Sequence, residues 1–162
     1  MTLASARRRL IAVCGESTRQ TTLGDLAFEV GRGIAQRGAV LLCGGSTGVM
    51  DHAARGARSV GGLTIGILPT DDPKTANDSI DVALATSLGQ ARNAVLAYSA
   101  EGVIAIGGGY GTLSEIALAM RIGRPVVGLR TWRFERTGQT EAPLWSVDTA
   151  DEALAWIFSH LS

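Results

Sequence analysis

The sequence has no excess charge of either sign. Fifteen lysines and arginines balance fifteen aspartates and glutamates over 162 residues. A generic nucleic-acid binder concentrates cations on one face, so this balance argues against DNA or RNA as a partner. It leaves open a single small anionic ligand. No stretch approaches the ~18 consecutive apolar residues that a membrane-crossing helix needs. After Arg7, Arg8 and Arg9, the apolar stretch Leu10–Val13 is too short for the core of a secretory leader, and Gly15 and Glu16 end it. Cysteine is scarce. Cys14 and Cys43 stand in neither a CxxC nor a Cys/His spacing, which reads as two buried thiols with no metal or redox role. These absences predict a cytoplasmic chain with no membrane partner, no bound metal and no required cofactor. No repeat of 20–50 residues recurs and no linker interrupts the pattern, so residues 1–162 are expected to form one domain.

Hydrophobic residues make up 46% and charged residues 19%, a globular rather than disordered balance. Glycine is abundant, with 21 residues where the usual ~7% share would give about half as many. The glycines cluster at the ends of short apolar runs. Five such runs, Leu10–Cys14, Ala39–Cys43, Leu63–Leu68, Val103–Ile106 and Pro125–Leu129, suit strands buried on both faces of a parallel sheet, and Ile80–Ala83 suits a short sixth. Between them, apolar residues recur at helical spacing: Leu23 to Ile34, Met50 to Val60, Ala91 to Tyr98, Leu113 to Met120 and Ala153 to Leu161. Ser87 with Gln90, and Thr149 with Glu152, have the spacing of capping boxes. Asp71–Ser79 and Thr131–Pro143 read as polar loops. Strands alternating with helices predict an α/β fold: a Rossmann-like, doubly wound parallel sheet with helices on both faces.

In such sheets ligands bind beyond the carboxyl ends of the strands. Three of those ends are rich in small residues: Gly15-Glu16-Ser17-Thr18, Gly44-Gly45-Ser46-Thr47-Gly48 and Gly107-Gly108-Gly109-Tyr110-Gly111-Thr112. A glycine lets the backbone approach a ligand closely, and the helix start that follows offers free N–H groups to an anion. Phosphate binding is therefore the working inference, set against the plain alternative of tight strand-to-helix turns. No lysine precedes the hydroxyl residues, which excludes a Walker A loop, and the spacing at Gly107–Gly111 is not GxGxxG. No acidic residue for a ribose closes the second strand, so a standard dinucleotide dehydrogenase is not expected.

The run Gly108-Gly109-Tyr110-Gly111-Thr112-Leu113-Ser114-Glu115 resembles the GGxGTxxE motif of the LOG ("lonely guy") family, whose members were long labelled lysine decarboxylase-like. Gly44-Gly45-Ser46-Thr47-Gly48-Val49-Met50 is similar to the same family's GGxxGxM segment, in the same order. The resemblance spans Leu10 to about Leu129. It implies a choice between two activities. Hydrolases of the family cleave the N-glycosidic bond of nucleoside 5′-monophosphates with an arginine and the motif glutamate, which match Arg92 and Glu115. A carboxylate can stabilise an oxocarbenium-like ribosyl centre or activate water, and a guanidinium can clamp phosphate through its fork of donors.

Gly107 stands where the hydrolases have proline, Asn93 stands where they have lysine, and little sequence follows the last predicted strand to cover a base. The Arg92-Asn93 pair and the triple glycine look more like the branch of molybdenum cofactor carrier proteins, which bind a phosphorylated pterin. The resemblance thus implies a ligand that is a nucleotide monophosphate or a phosphorylated pterin. The expected ligand-binding residues are Gly15, Glu16, Ser17, Gly44, Gly45, Ser46, Thr47, Arg92, Asn93, Gly107, Gly108, Gly109, Tyr110, Gly111 and Thr112. Glu115 has a second reading as the closing member of a capping box begun by Thr112. His52 reads as an exposed helix residue, and Trp132, Trp145 and Trp156 as packing residues, with Trp132 also able to stack on a base. The alanine-rich helices Gly89–Ala100 and Leu113–Ile122 are short in charge, and with the family resemblance they imply a homodimer or larger assembly.

Overall fold

A computed structural model describes residues 7–140 and 144–162. The chain runs β1 (Leu10–Gly15), α1 (Gly24–Gln36), β2 (Val40–Cys43), α2 (Val49–Arg58), β3 (Thr64–Leu68), β4 (Val82–Ala85), α3 (Arg92–Ser99), β5 (Gly102–Ile106), α4 (Tyr110–Arg121), β6 (Val126–Leu129), β7 (Trp145–Val147) and α5 (Ala150–Ser159). Among the described residues, all seven strands pair in parallel in one sheet of order β4-β3-β2-β1-β5-β6-β7. The fold is the Rossmann-like α/β architecture that the alternating pattern implies.

Burial on both faces explains why the central strands are apolar throughout. Ile11 and Val13 point into one core with α1, α2 and α5, while Ala12 and Cys14 point into a second with α3 and α4. The chain leaves β1 toward β2, β3 and β4, then returns to place β5 on the other side of β1. That reversal puts the switch point between the carboxyl ends of β1 and β5, at Gly15 and Ile106, which are register partners.

Several local expectations need correction. The sixth strand lies at Val82–Ala85 rather than Ile80–Ala83. Thr64 explains the shift: its hydroxyl donates to the Ser79 carbonyl (2.6 Å), and its backbone N–H donates to the Asp81 carboxylate (2.9 Å). These bonds hold the chain in a turn through Asp81, so the ladder begins after it. Ser87 forms no capping box. It has a positive φ of 56°, and neither the 3-10 turn Gly89–Ala91 nor α3 has a side-chain cap. The box at Thr149 and Glu152 is present. Helix α4 starts at Tyr110, with Gly109 as its N-cap and no side-chain cap, so Glu115 lies in its second turn and closes no capping box.

Strand β7 has no counterpart in the periodicity. Its three residues are mostly exposed, and pairing with β6 alone defines it. Residues 131–140 form no strand or helix, and 141–143 of the predicted loop lie outside the described residues. Trp145 is exposed and stacks on Trp156, which stacks on His160. His52 is half-buried, its ring lying over Gly24.

Candidate functional site

The three glycine-rich turns meet above the switch point around a cleft of about 670 Å³. Of the residues singled out from sequence, Gly15, Glu16, Ser17, Ser46, Arg92, Asn93, Gly108, Gly109, Gly111, Thr112 and Glu115 line it. Gly44, Gly45, Thr47, Gly107 and Tyr110 do not. Thr47 instead ties two turns together, its hydroxyl donating to the Ser17 carbonyl at 2.5 Å. Tyr110 projects outward at 83% exposure beside Trp132, whose indole N–H donates to the Gly109 carbonyl (3.0 Å). Met50, Pro69 and Gln90 also line the cleft, and sequence reasoning did not propose them for the site. Pro69 directly follows β3 and Gln90 precedes Arg92 by two residues, so adjacency to a strand end was the available signal.

The glycines divide by what surrounds them. A Cβ on Gly15 would collide with the Ile106 carbonyl and Val49, and one on Gly107 would collide with Leu23. A Cβ on Gly108 would strike Thr112 Oγ1, and Gly108 has φ 98°. These positions need glycine for packing and turn geometry. Gly109 and Gly111 differ: a Cβ on either would meet nothing within 4 Å. They leave backbone bare toward the cleft, at the start of a twelve-residue helix whose first N–H groups have no side-chain cap.

Arg92, the first residue of α3, is buried and reaches across the carboxyl ends of β2 and β3. Its Nη1 donates to the Gly44 carbonyl (2.7 Å) and to the Ile67 carbonyl, and its Nε donates to Asn93 Oδ1 (2.9 Å). Burial lowers its pKa, an effect opposed by the charge of Glu115. Since Nε and Nη1 are engaged by the protein, the two-armed clamp expected of this arginine is not available.

Glu115 is buried and pushed up to about 7, because desolvation penalises its charged form more than Arg92 and the Cys14 thiol relieve it. The two cysteines are buried. Burial and the neighbouring Glu115 raise Cys14 well above the usual thiol range, and burial raises Cys43 to about 12, so both are neutral thiols. Glu16 adds a second carboxylate to the cleft, accepting from the Thr21 hydroxyl. Among the described residues, no three His, Cys, Asp or Glu side chains converge as a metal ion would require. The cleft thus combines bare helix-start amides, one partly committed guanidinium and a carboxyl that titrates near neutrality.

The family model of the SLOG cluster4 family matches residues 8–154. The chain belongs to that family. The chain is similar to proteins named for each of the two roles that the motifs imply. An uncharacterized protein of Archaeoglobus fulgidus is 44% identical over 117 residues, covering 72% of this chain and 74% of that protein. The cytokinin riboside 5′-monophosphate phosphoribohydrolase of Mycobacterium tuberculosis is 31% identical over 128 residues, covering 74% and 68%. The chain spans only about half the length of the rice phosphoribohydrolases it matches.

Among solved structures, the molybdenum cofactor binding protein of Rippkaea orientalis superposes with a TM-score of 0.85 at 36% identity, covering 96% of this chain and 98% of that one. The molybdenum cofactor carrier protein of Chlamydomonas reinhardtii gives 0.80 at 34%, covering 94% and 98%. These matches support both the family, read from two glycine motifs, and its carrier-like branch, read from Arg92-Asn93 and the triple glycine.

Proposed function

We propose that this protein binds and carries a phosphorylated pterin or a nucleotide 5′-monophosphate, with the phosphate seated on the bare amides of Gly109 and Gly111 at the start of α4. The observation that carries this reading is the pair of glycines with open space above them, in the same cleft as a buried arginine with one free arm. An anion there meets unpaired N–H groups, the helix dipole and a guanidinium together. Near-full-length likeness to molybdenum cofactor carriers supports the carrier role and a phosphorylated pterin as cargo. We place the protein in the cytoplasm as a homodimer or larger homo-oligomer. Among the described residues, no helix is long and apolar enough to cross a membrane.

A second reading, hydrolysis of nucleoside 5′-monophosphates, is favoured by one specific observation. Glu115 stands in the cleft with a pKa near neutrality, where a carboxyl can serve as an acid or a base. Two measurements separate the readings. Native mass spectrometry of the purified protein should show a co-purifying phosphorylated ligand. Prolonged incubation with AMP, GMP or a cytokinin riboside monophosphate should release no base. Ribose 5-phosphate liberated by wild type and not by Glu115→Gln would establish the hydrolase instead, since the transition state alone needs that charge.

A further inference from the structure

Five N–H bonds radiate from a guanidinium, and three of those of Arg92 are taken by protein acceptors. Two of the three go to main-chain carbonyls, Gly44 and Ile67, which are set by the strand ends. The third goes to a side chain. Asn93 is itself buried, and both ends of its amide are used: Oδ1 accepts from Arg92 Nε (2.9 Å), and Nδ2 donates to Ser114 Oγ (2.8 Å). The Ser114 hydroxyl then donates to the carbonyl of Gly111 (2.8 Å), within the first turn of α4. A continuous chain of hydrogen bonds therefore runs from the arginine, through Asn93 and Ser114, to the helix start proposed to hold the phosphate. Nη2 takes no acceptor among the described residues.

We propose that Asn93 is a positioning residue: it locks Arg92 through Nε so that only Nη2 is offered to the ligand, and it ties that posture to the anion-binding turn of α4. Asn93 lines the cleft, but its role here is exerted through Arg92, with Oδ1 committed to Nε and one Nδ2–H to Ser114. The amide is the chemistry the position requires, because one group must accept from Nε and donate to Ser114. A lysine there is donor-only, leaves Nε unpaired and adds a second cation. An aspartate keeps the acceptor for Nε and gives up the donor. The binding part of this inference rests on the phosphate reading above, whereas the positioning part does not.

Two measurements test it. In arginine 1H–15N spectra, the Nε–H resonance missing from Arg92→Lys is that of Arg92. It should exchange with solvent slowly in wild type and at least ~10-fold faster in Asn93→Ala and Asn93→Lys, and it should keep its protection in Asn93→Asp. The restoration by aspartate separates positioning from general damage to the fold. In titrations with AMP, Arg92→Ala and Asn93→Ala should each weaken binding by about 10-fold, and the double variant should bind no more weakly than Arg92→Ala alone. Additive losses in the double variant would overturn the proposal, as would an Arg92 Nε–H whose exchange is indifferent to Asn93→Ala. If wild type binds no AMP, the phosphate reading fails for that nucleotide, and the exchange measurement alone decides the role of Asn93.

Discussion

Gly44 gives up its side chain to the guanidinium of Arg92, not to a ligand. A Cβ on Gly44 would stand 2.6 Å from Arg92 Nη1 and 2.9 Å from both Cζ and Nη2, while the Gly44 carbonyl accepts from the same Nη1. Two positions 48 residues apart thus share one requirement. Gly44→Ala should displace the arginine even though Gly44 itself does not line the cleft. Since a buried charged group would lose its acceptor, we expect Gly44→Ala to destabilise the fold by about 1–3 kcal/mol in chemical denaturation. AMP affinity should fall as it does in Arg92→Ala. A Gly44→Ala protein with wild-type stability and affinity would show that the guanidinium is free to move.

Gly109 and Gly111 should behave in the opposite way. Gly109 has an extended backbone with φ −102°, and Gly111 is helical, so both accept an ordinary side chain without strain. Gly109→Val and Gly111→Leu should fold normally and place carbon over the bare amides. Removing a glycine from a helix gains roughly 0.5–1 kcal/mol, so the melting temperature of Gly111→Leu should match or exceed that of wild type. AMP binding should drop beyond detection in both variants. Unchanged affinity for every nucleotide and pterin phosphate tried would remove α4 from the site.

Glu115 makes stability depend on pH in an unusual direction. Its folded-state pKa, about 7, lies above the ordinary 4.5, so the folded protein holds this proton longer than the unfolded chain does. Below about 4.5 both states are protonated and there is no penalty. Between about 4.5 and 7 the unfolded state loses its proton first, and stability falls as pH rises. Glu115→Gln removes the penalty, so it should be neutral near pH 4.5 and stabilising at pH 8, by up to about 3 kcal/mol. Thermal melts at the two pH values check this. A variant equally or less stable than wild type at pH 8 would contradict the buried-carboxylate account.

If the protein self-associates as proposed, we expect the outer face of α3 to be the surface that does so. Val95 (36% exposed) and Tyr98 (64%) project from it, and Leu88 (50%) lies just before it. Helices α3 and α4 pack against each other. Sedimentation at micromolar concentration should give a dimer or larger assembly. Val95→Asp combined with Tyr98→Asp should give a monomer with an unchanged circular dichroism spectrum. A monomeric wild type would refute the assembly.

Much of this architecture was readable along the chain because its signals are local. A doubly buried strand must be apolar at consecutive positions, as Leu10–Cys14 is, and a helix on its face must repeat at three and four residues. Glycine-rich turns announced the strand ends that meet at the cleft, whereas Arg92 and Glu115 came into consideration through the family resemblance. Strand β7 escaped notice because three half-exposed residues have no period to detect. The capping boxes at Ser87 and Thr112 were spacing coincidences: Ser87 adopts a positive φ, and α4 had already begun at Tyr110.

Other properties had no local signal. Along the chain, Gly44 and Gly109 are equivalent residues in equivalent turns; only the folded neighbours show that one makes room for a guanidinium and the other for open space. Arg92 was recognisable as a site residue, yet its main-chain acceptors lie 25 and 48 residues away, and with Asn93 on Nε they leave it a single free arm. The same holds for Glu115, whose pKa comes from burial beside Cys14 and Arg92, a neighbourhood built by three separate elements. Periodicity and turn chemistry act between near neighbours and persist in the unfolded chain. Desolvation, side-chain room and hydrogen-bond commitment arise only once distant segments exclude water together.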